Sequence, residues 1–79
     1  MKDVLSFLVK ALVDNPKDVA IVESGGNERL LLTITVNPTD MGKIIGKSGR
    51  IIRSLRDLMK ILAAKKGVYV DVILSEEVQ

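Results

Sequence analysis

Residues 41–52 read "MGKIIGKSGRII", and the fold turns on what the glycines in this stretch do. Gly46 and Gly49 enclose Lys47 and Ser48, with Ile44, Ile45, Ile51 and Ile52 on either side and Lys43 and Arg50 among them. A quick reading of "GKIIGKS" suggests a phosphate-binding P-loop. That motif needs four residues between its first glycine and its Gly-Lys-Ser, whereas Gly42 and Gly46 enclose only three. A P-loop also follows a buried strand of a parallel sheet. Here residues 37–40, "NPTD", open a helix instead: Asn37 is a good N-cap, Pro38 suits the first helical position, and Asp40 favours the positive end of the helix dipole. Register and context exclude nucleotide hydrolysis, as does the lack of room for a magnesium site and a base. Read as ordinary helix ends, Gly46 is a C-cap and Gly49 eases the turn. That role requires neither the flanking cations nor the isoleucines. Glycines also let a sugar-phosphate backbone approach closely, and N–H groups at the start of the next helix face it with a favourable dipole.

Outward from the loop, a second helix starts near Gly49 and runs to about Lys66. Ile51, Leu55, Leu58, Met59 and Leu62 lie on one face, and Arg53, Arg56 and Lys60 largely on another. Gly67 ends it. Residues 68–74, "VYVDVIL", alternate as a strand, and residues 75–79 form an acidic tail. Upstream, "VAIVES" and "RLLLTITV", residues 19–24 and 29–36, flank "GGN", which is hairpin chemistry. In the second run Leu30, Leu32, Ile34 and Val36 alternate with Arg29, Leu31, Thr33 and Thr35. One face is core and the other mostly wet, as in an antiparallel sheet covered on one side. At the start of the chain Val4, Phe7, Leu8, Ala11 and Leu12 recur at helical spacing, forming the apolar face of an amphipathic helix that "DNP", residues 14–16, terminates. The order α-β-β-α-α-β predicts an α+β fold in which three helices cover one face of a three-stranded sheet. Seventy-nine residues leave room for one domain, spanning 1–79.

The sequence has no cysteine and no histidine, which closes off disulfides, thiolate metal sites and the commonest general base. The net charge of +2 hides an asymmetry: residues 42–66 carry eight basic side chains against Asp57 alone, net +7, and the remainder carries −5. A charge run can be a solvated helix face, but one that contains this loop points to a polyanion. Asp3, Ser6 and Lys10 interrupt the apolar N-terminal stretch, so it does not read as a signal peptide. No apolar run approaches the roughly 18 to 20 residues that span a bilayer. A soluble, cytoplasmic protein without membrane contact is expected.

Residues 40–52, "DMGKIIGKSGRII", resemble the signature of KH domains, and the element order is similar to the bacterial, type II arrangement of that family. The likeness covers the whole chain and is specific over the twelve positions of the loop stretch, and the size is similar to that of the small stand-alone bacterial members. It implies single-stranded RNA in a groove between the helix-GxxG-helix unit at 38–66 and the neighbouring strand, with about four nucleotides clamped. Carried over by position, Gly46, Lys47, Ser48 and Gly49 contact the RNA backbone, and Ile44, Ile45 and Ile51 form the apolar groove floor. Arg50 and Lys43 flank the phosphates. Arg53, one turn further on, is either another contact or simply solvated. Ile52 and Leu55 are expected in the core. One Phe and one Tyr are too few for an aromatic stacking platform.

The implied activity is non-enzymatic: an RNA chaperone or post-transcriptional regulator of a bacterial cytoplasm, with no cofactor and no metal. A homodimer is implied, as is a heteromer with a larger, KhpB-like RNA-binding protein. Leu31, Tyr69 and Ile73 on the wet sheet face, or the isoleucines near the loop, offer contact surfaces. The alternative is a KH-shaped adaptor that works through protein contacts with little RNA binding of its own. Ser48 beside Lys47 could imitate a serine-lysine dyad, but sequence neighbours on a tight loop lack the geometry and have no orienting group.

Overall fold

A computed structural model describes residues 1–26 and 28–75. Asn27 of the expected hairpin turn and residues 76–79 of the acidic tail lie outside the described residues. The elements are α1 (Lys2–Leu12), β1 (Ala20–Gly25), β2 (Arg29–Thr35), α2 (Met41–Ile45), α3 (Arg50–Lys65) and β3 (Tyr69–Leu74). Single 3-10 turns at Pro16–Asp18, Pro38–Asp40 and Lys47–Gly49 link them. The α-β-β-α-α-β order is as expected.

β2 is the central strand. On one side β1 pairs with it antiparallel, Ala20 opposite Thr35 and Gly25 opposite Leu30, so the hairpin forms as its alternation predicts. On the other side β3 runs parallel to β2, with Arg29 opposite Tyr69 and Ile34 opposite Leu74. The sheet is therefore mixed, which corrects the antiparallel reading for its third strand. Side-chain alternation reports which face is buried but not strand direction. Direction is set by the connection: α2 and α3 form a crossover that returns the chain to the end of the sheet where β2 began.

The even-numbered side chains of β2 and β3 and the inner faces of the helices make one core. Leu32, Ile34, Val36, Val70 and Val72 meet Leu5 and Val9 of α1, Ile44 of α2, and Leu55, Met59 and Ala63 of α3. Leu55 is buried as expected, while Ile52 is only partly buried against the cluster. α1 turns differently from its sequence reading. It seats Leu5 and Val9, with Met1, Leu8 and Val13 packed beside them. Val4 and Ala11 face solvent, and Phe7 is 73% exposed. The helix is apolar over so wide an arc that two stripes compete for the sheet, and spacing alone does not rank them. Leu58 of α3 is likewise exposed, the buried row of that helix being Leu55, Met59 and Ala63.

Candidate nucleic-acid interface

The loop is positioned by a buried acid. Asn37 starts the Pro38–Asp40 turn, its Oδ1 accepting the Thr39 N–H at 2.9 Å, and Asp40 then points inward at 1% exposure. Its carboxylate accepts the N–H of Asp14 at 3.2 Å, the N–H of Asn15 at 3.0 Å and the Asn15 Nδ2 at 3.0 Å. This binds the segment after α1 to the first turn of α2. Burial alone pushes the Asp40 carboxyl up, but the bonds from Asn15 and Asp14, with the charge of Lys43, outweigh it and hold the group below its ordinary value of 3.8. A carboxyl with a depressed folded value adds stability above its unfolded pKa and loses it as pH falls from about 4 through the lower folded value. Asp40→Ala should lower the melting temperature by about 10 °C at neutral pH. The gap between wild type and variant should narrow as melts are taken below about pH 4, where the unfolded chain's carboxyl takes up a proton; an equal gap at neutral and acid pH would show that its charge contributes nothing.

α2 lasts little more than a turn. Its last carbonyls meet the elbow, where the Gly46 N–H donates to the Gly42 carbonyl at 2.9 Å. Gly46 has φ 75 and ψ 176, a region open essentially to glycine alone. It is also a contact: a Cβ built there would lie 2.6 Å from Cγ1 and 2.9 Å from Cβ of Ile51. Gly49, the N-cap of α3, is left-handed with φ 72 and ψ 19, and a Cβ there meets nothing within 4 Å. Between them Ser48 has φ 57, the one positive-φ side-chain-bearing residue among those described. A non-glycine residue held left-handed on an exposed turn points to function rather than packing.

Part of the hydrogen-bonding capacity expected of this elbow is used internally. The Gly49 N–H donates to the Gly46 carbonyl at 3.2 Å, and the Arg50 N–H to the Lys47 carbonyl. The N–H groups of Lys47 and Ser48 have no partner among the described residues. A phosphate here would meet two amides and the surrounding cations, not a full row of helix N–H groups.

The structure sorts the expected site residues by exposure. Lys47, Ser48, Arg50 and Arg53 are exposed, and Ile45, Gly46, Gly49 and Ile51 are half-buried around the elbow, with Ile51 packed directly under Gly46. Lys43 is exposed, but its ammonium pairs with Asp14 at 3.3 Å, toward α1. An exposed pair of this kind is worth little and exchanges readily. Ile44 corrects the reading: it is fully buried in the core and cannot form a groove floor that a base touches. It lies four residues after Asp40 on the same inward helix face, so both side chains turn toward the sheet.

Two features escaped the sequence reading. The shared face of Arg53, Arg56 and Lys60 on α3 was expected, but not where it sits: the Arg56 Nε donates to the Val72 carbonyl at 3.0 Å, fixing that flank against the outer edge of β3. The positive charge of α3 therefore borders β3, on the route leading away from the loop. Also, Arg29 stands over the Tyr69 ring with its guanidinium carbon 5.4 Å from the centroid, a cation-π distance. The spacing of 53, 56 and 60 was available in the sequence. The strand they border and the Arg29–Tyr69 neighbourhood required the parallel register.

A family model described as "KhpA/KhpB, KH domain" matches residues 2–74. Curated relatives match over nearly the full length. The protein named RNA-binding protein KhpA of Clostridium perfringens is 44% identical over 75 residues, covering 92% of this chain and all of the relative. The protein of the same name from Chlamydia caviae is 40% identical over 77 residues, covering 98% and 99% of the two chains. That of Leifsonia xyli is 42% identical over 69 residues, covering 87% and 91%. No solved structure matches.

Proposed function

Since the chain belongs to the KhpA/KhpB family of KH domains, we propose that it binds single-stranded RNA, holding about four nucleotides through the elbow at Gly46 to Gly49 and the groove beside it. One observation carries this reading. Among the described residues, an exposed, left-handed turn between two helices leaves the N–H groups of Lys47 and Ser48 without partners, and no acid pairs with Lys47, Arg50 or Arg53. Lys47, Ser48 and Arg50 take phosphates, with the Gly46 and Gly49 backbone close to the strand. Ile45 and Ile51 give the apolar floor. Arg53 supplies charge at the mouth of the groove, and Lys43 does so once released from Asp14. The names of the relatives support RNA as the ligand.

The protein then acts without catalysis, as an RNA chaperone or post-transcriptional regulator in a bacterial cytoplasm. Among the described residues no helix is long and apolar enough to cross a membrane. Contacts with two to three phosphates make one domain a weak binder, so useful affinity comes from joining two sites, where effective concentration multiplies modest contacts. We extend the proposal to a homodimer and to a heteromer with a KhpB-type protein. The pairing of the two names in the family description supports the second. Tyr69 and Ile73 on the open sheet face and Phe7 on α1 are exposed surfaces suited to either.

Salt dependence tests the reading. At about −0.7 per phosphate, binding of an unstructured RNA should fall ~7- to 18-fold between 50 and 200 mM salt. A filter-binding series at those two concentrations measures it. Absence of saturable, salt-sensitive retention would leave the alternative, a KH-shaped adaptor acting through protein contacts.

A further inference from the structure

Four cations border the elbow, and one of them is held differently from the rest. Lys47, Arg50 and Arg53 pair with no acid among the described residues. Lys43, about one helical turn before Gly46, is turned toward α1, its ammonium 3.3 Å from the Asp14 carboxylate. Two acids therefore stand near Lys43, and they serve the fold unequally. Asp40 is buried and joins the segment after α1 to the start of α2, through the N–H groups of Asp14 and Asn15 and the Asn15 Nδ2. Asp14 gives that junction only its backbone. Its carboxylate is 75% exposed and meets nothing but Lys43 among the described residues. Its position is nonetheless fixed, because further bonds secure the chain around it: Asn15 Nδ2 reaches the Thr39 hydroxyl at 3.4 Å, and Asn37 Nδ2 donates to Asp18 at 2.9 Å. Surface pairs usually contribute little because two long side chains must be held in one geometry. Here one partner is short and stands on a backbone that is already held.

Resting on the RNA-binding reading above, we infer that Asp14 sets the strength of that binding: its carboxylate competes with an RNA phosphate for the Lys43 ammonium, and a strand gains this fourth cation only by displacing it. Carboxylate and phosphate oxygens accept from the same donors, so a contact made by one is lost to the other. Both partners of the pair are open to solvent, which lets an incoming anion exchange with Asp14. Lys43 makes the contact and Asp14 is the positioning residue that holds it back. The rival role is a strut, a pair that ties the end of α1 to α2 and takes no part in binding. The two roles have opposite consequences when the acid is neutralised. Losing a strut weakens the fold and leaves RNA affinity alone. Losing a competitor leaves the fold alone, since the bonds to Asp40 come from the Asp14 backbone and from Asn15, and tightens RNA.

The experiment is a set of fluorescence-anisotropy titrations with an unstructured RNA of about eight nucleotides, long enough to fill a four-nucleotide site, at roughly 50 and 200 mM salt. It uses the full chain and its Asp14→Asn, Lys43→Gln, Asp14→Asn/Lys43→Gln and Asp3→Asn variants, with a thermal melt of each. Asp14→Asn should tighten binding about threefold at the lower salt, within the range of an exposed pair. Its salt slope should steepen by about 0.7, the mark of one more phosphate neutralised, so that most of the gain is gone at the higher salt. Its melting temperature should stay within about 3 °C of wild type. In the Lys43→Gln background the same substitution should change neither affinity nor slope. Asp3→Asn removes the same charge at the opposite end of α1, roughly 15 Å along the helix, and should bind as wild type does. If Asp14→Asn binds no more tightly than wild type, if it gains as much without Lys43, or if Asp3→Asn matches it, Asp14 does not compete with RNA. If wild type and every variant bind no RNA, the RNA reading itself fails and this inference falls with it.

Discussion

Replacing Lys47 and Ser48 together with aspartate should lower RNA affinity roughly 100-fold while the melting temperature stays within about 3 °C of wild type. The double variant turns one positive charge into two negative ones at the tip of the elbow. Three units of charge, at about 1 kcal/mol each for surface-exposed groups near a phosphate, give that factor at about 1.4 kcal/mol per tenfold. The fold should tolerate the change because both side chains are exposed and neither has a side-chain partner among the described residues. Aspartate is also among the few residues that accept the left-handed conformation Ser48 adopts. Circular dichroism and a thermal melt check the fold, and anisotropy or filter retention checks binding. A well-folded variant that binds RNA as wild type does would remove the elbow from the mechanism.

Gly46→Ala should be the most damaging single-methyl change in the loop, and the two glycines of the motif should differ sharply. At Gly46 the backbone region alone costs on the order of 1–3 kcal/mol for a residue with a side chain. The new Cβ also falls within 3 Å of Ile51 Cβ, Cγ1 and Cδ1. The Ile51 Cβ is rigidly attached to the first turn of α3, so rotation of its side chain does not relieve the overlap. A destabilisation of about 2–4 kcal/mol is expected, corresponding to a fall of about 10–25 °C in melting temperature for a domain of this size. On the proposed reading, in which Ile51 is part of the groove floor, RNA binding weakens with it. Gly49→Ala carries only the left-handed penalty of about 1 kcal/mol, with nothing near its Cβ. Thermal melts of the two variants test the ranking, and equal losses would show that contact with Ile51 is not what fixes the elbow.

The contrast between these glycines shows what could be read from the chain. The existence of the loop, the helix after it, the hairpin and the final strand followed from local chemistry: caps, turn residues, and periods of two and 3.6. Wherever the outcome depended on distant partners, the local signal was silent or misleading. Asp40 looked like an acid at a helix start, yet its donors come from Asp14 and Asn15, far back in the sequence. Ile44 looked like a surface isoleucine beside a binding loop until the sheet claimed its face of α2. Val4 and Phe7 matched helical spacing as well as Leu5 and Val9 did, and only the shape of the sheet chose between them. The Arg29–Tyr69 contact lay furthest from view, since the two meet through pairing of strands about forty residues apart. Spacing identified the candidate residues around the elbow. Tertiary structure decided which of them are exposed.

The parallel seating of β3 against β2 has a consequence for the newly made chain. The hairpin and α1 can assemble during synthesis, but Val70 and Val72, which close the core beneath α3, follow every other element in sequence. Joining partners so far apart is entropically unfavourable until both exist. The elbow therefore acquires its rigid shape only after the final strand has left the ribosome. Closure of the core, and with it the seating of α3 behind the elbow, arrives in a single late step.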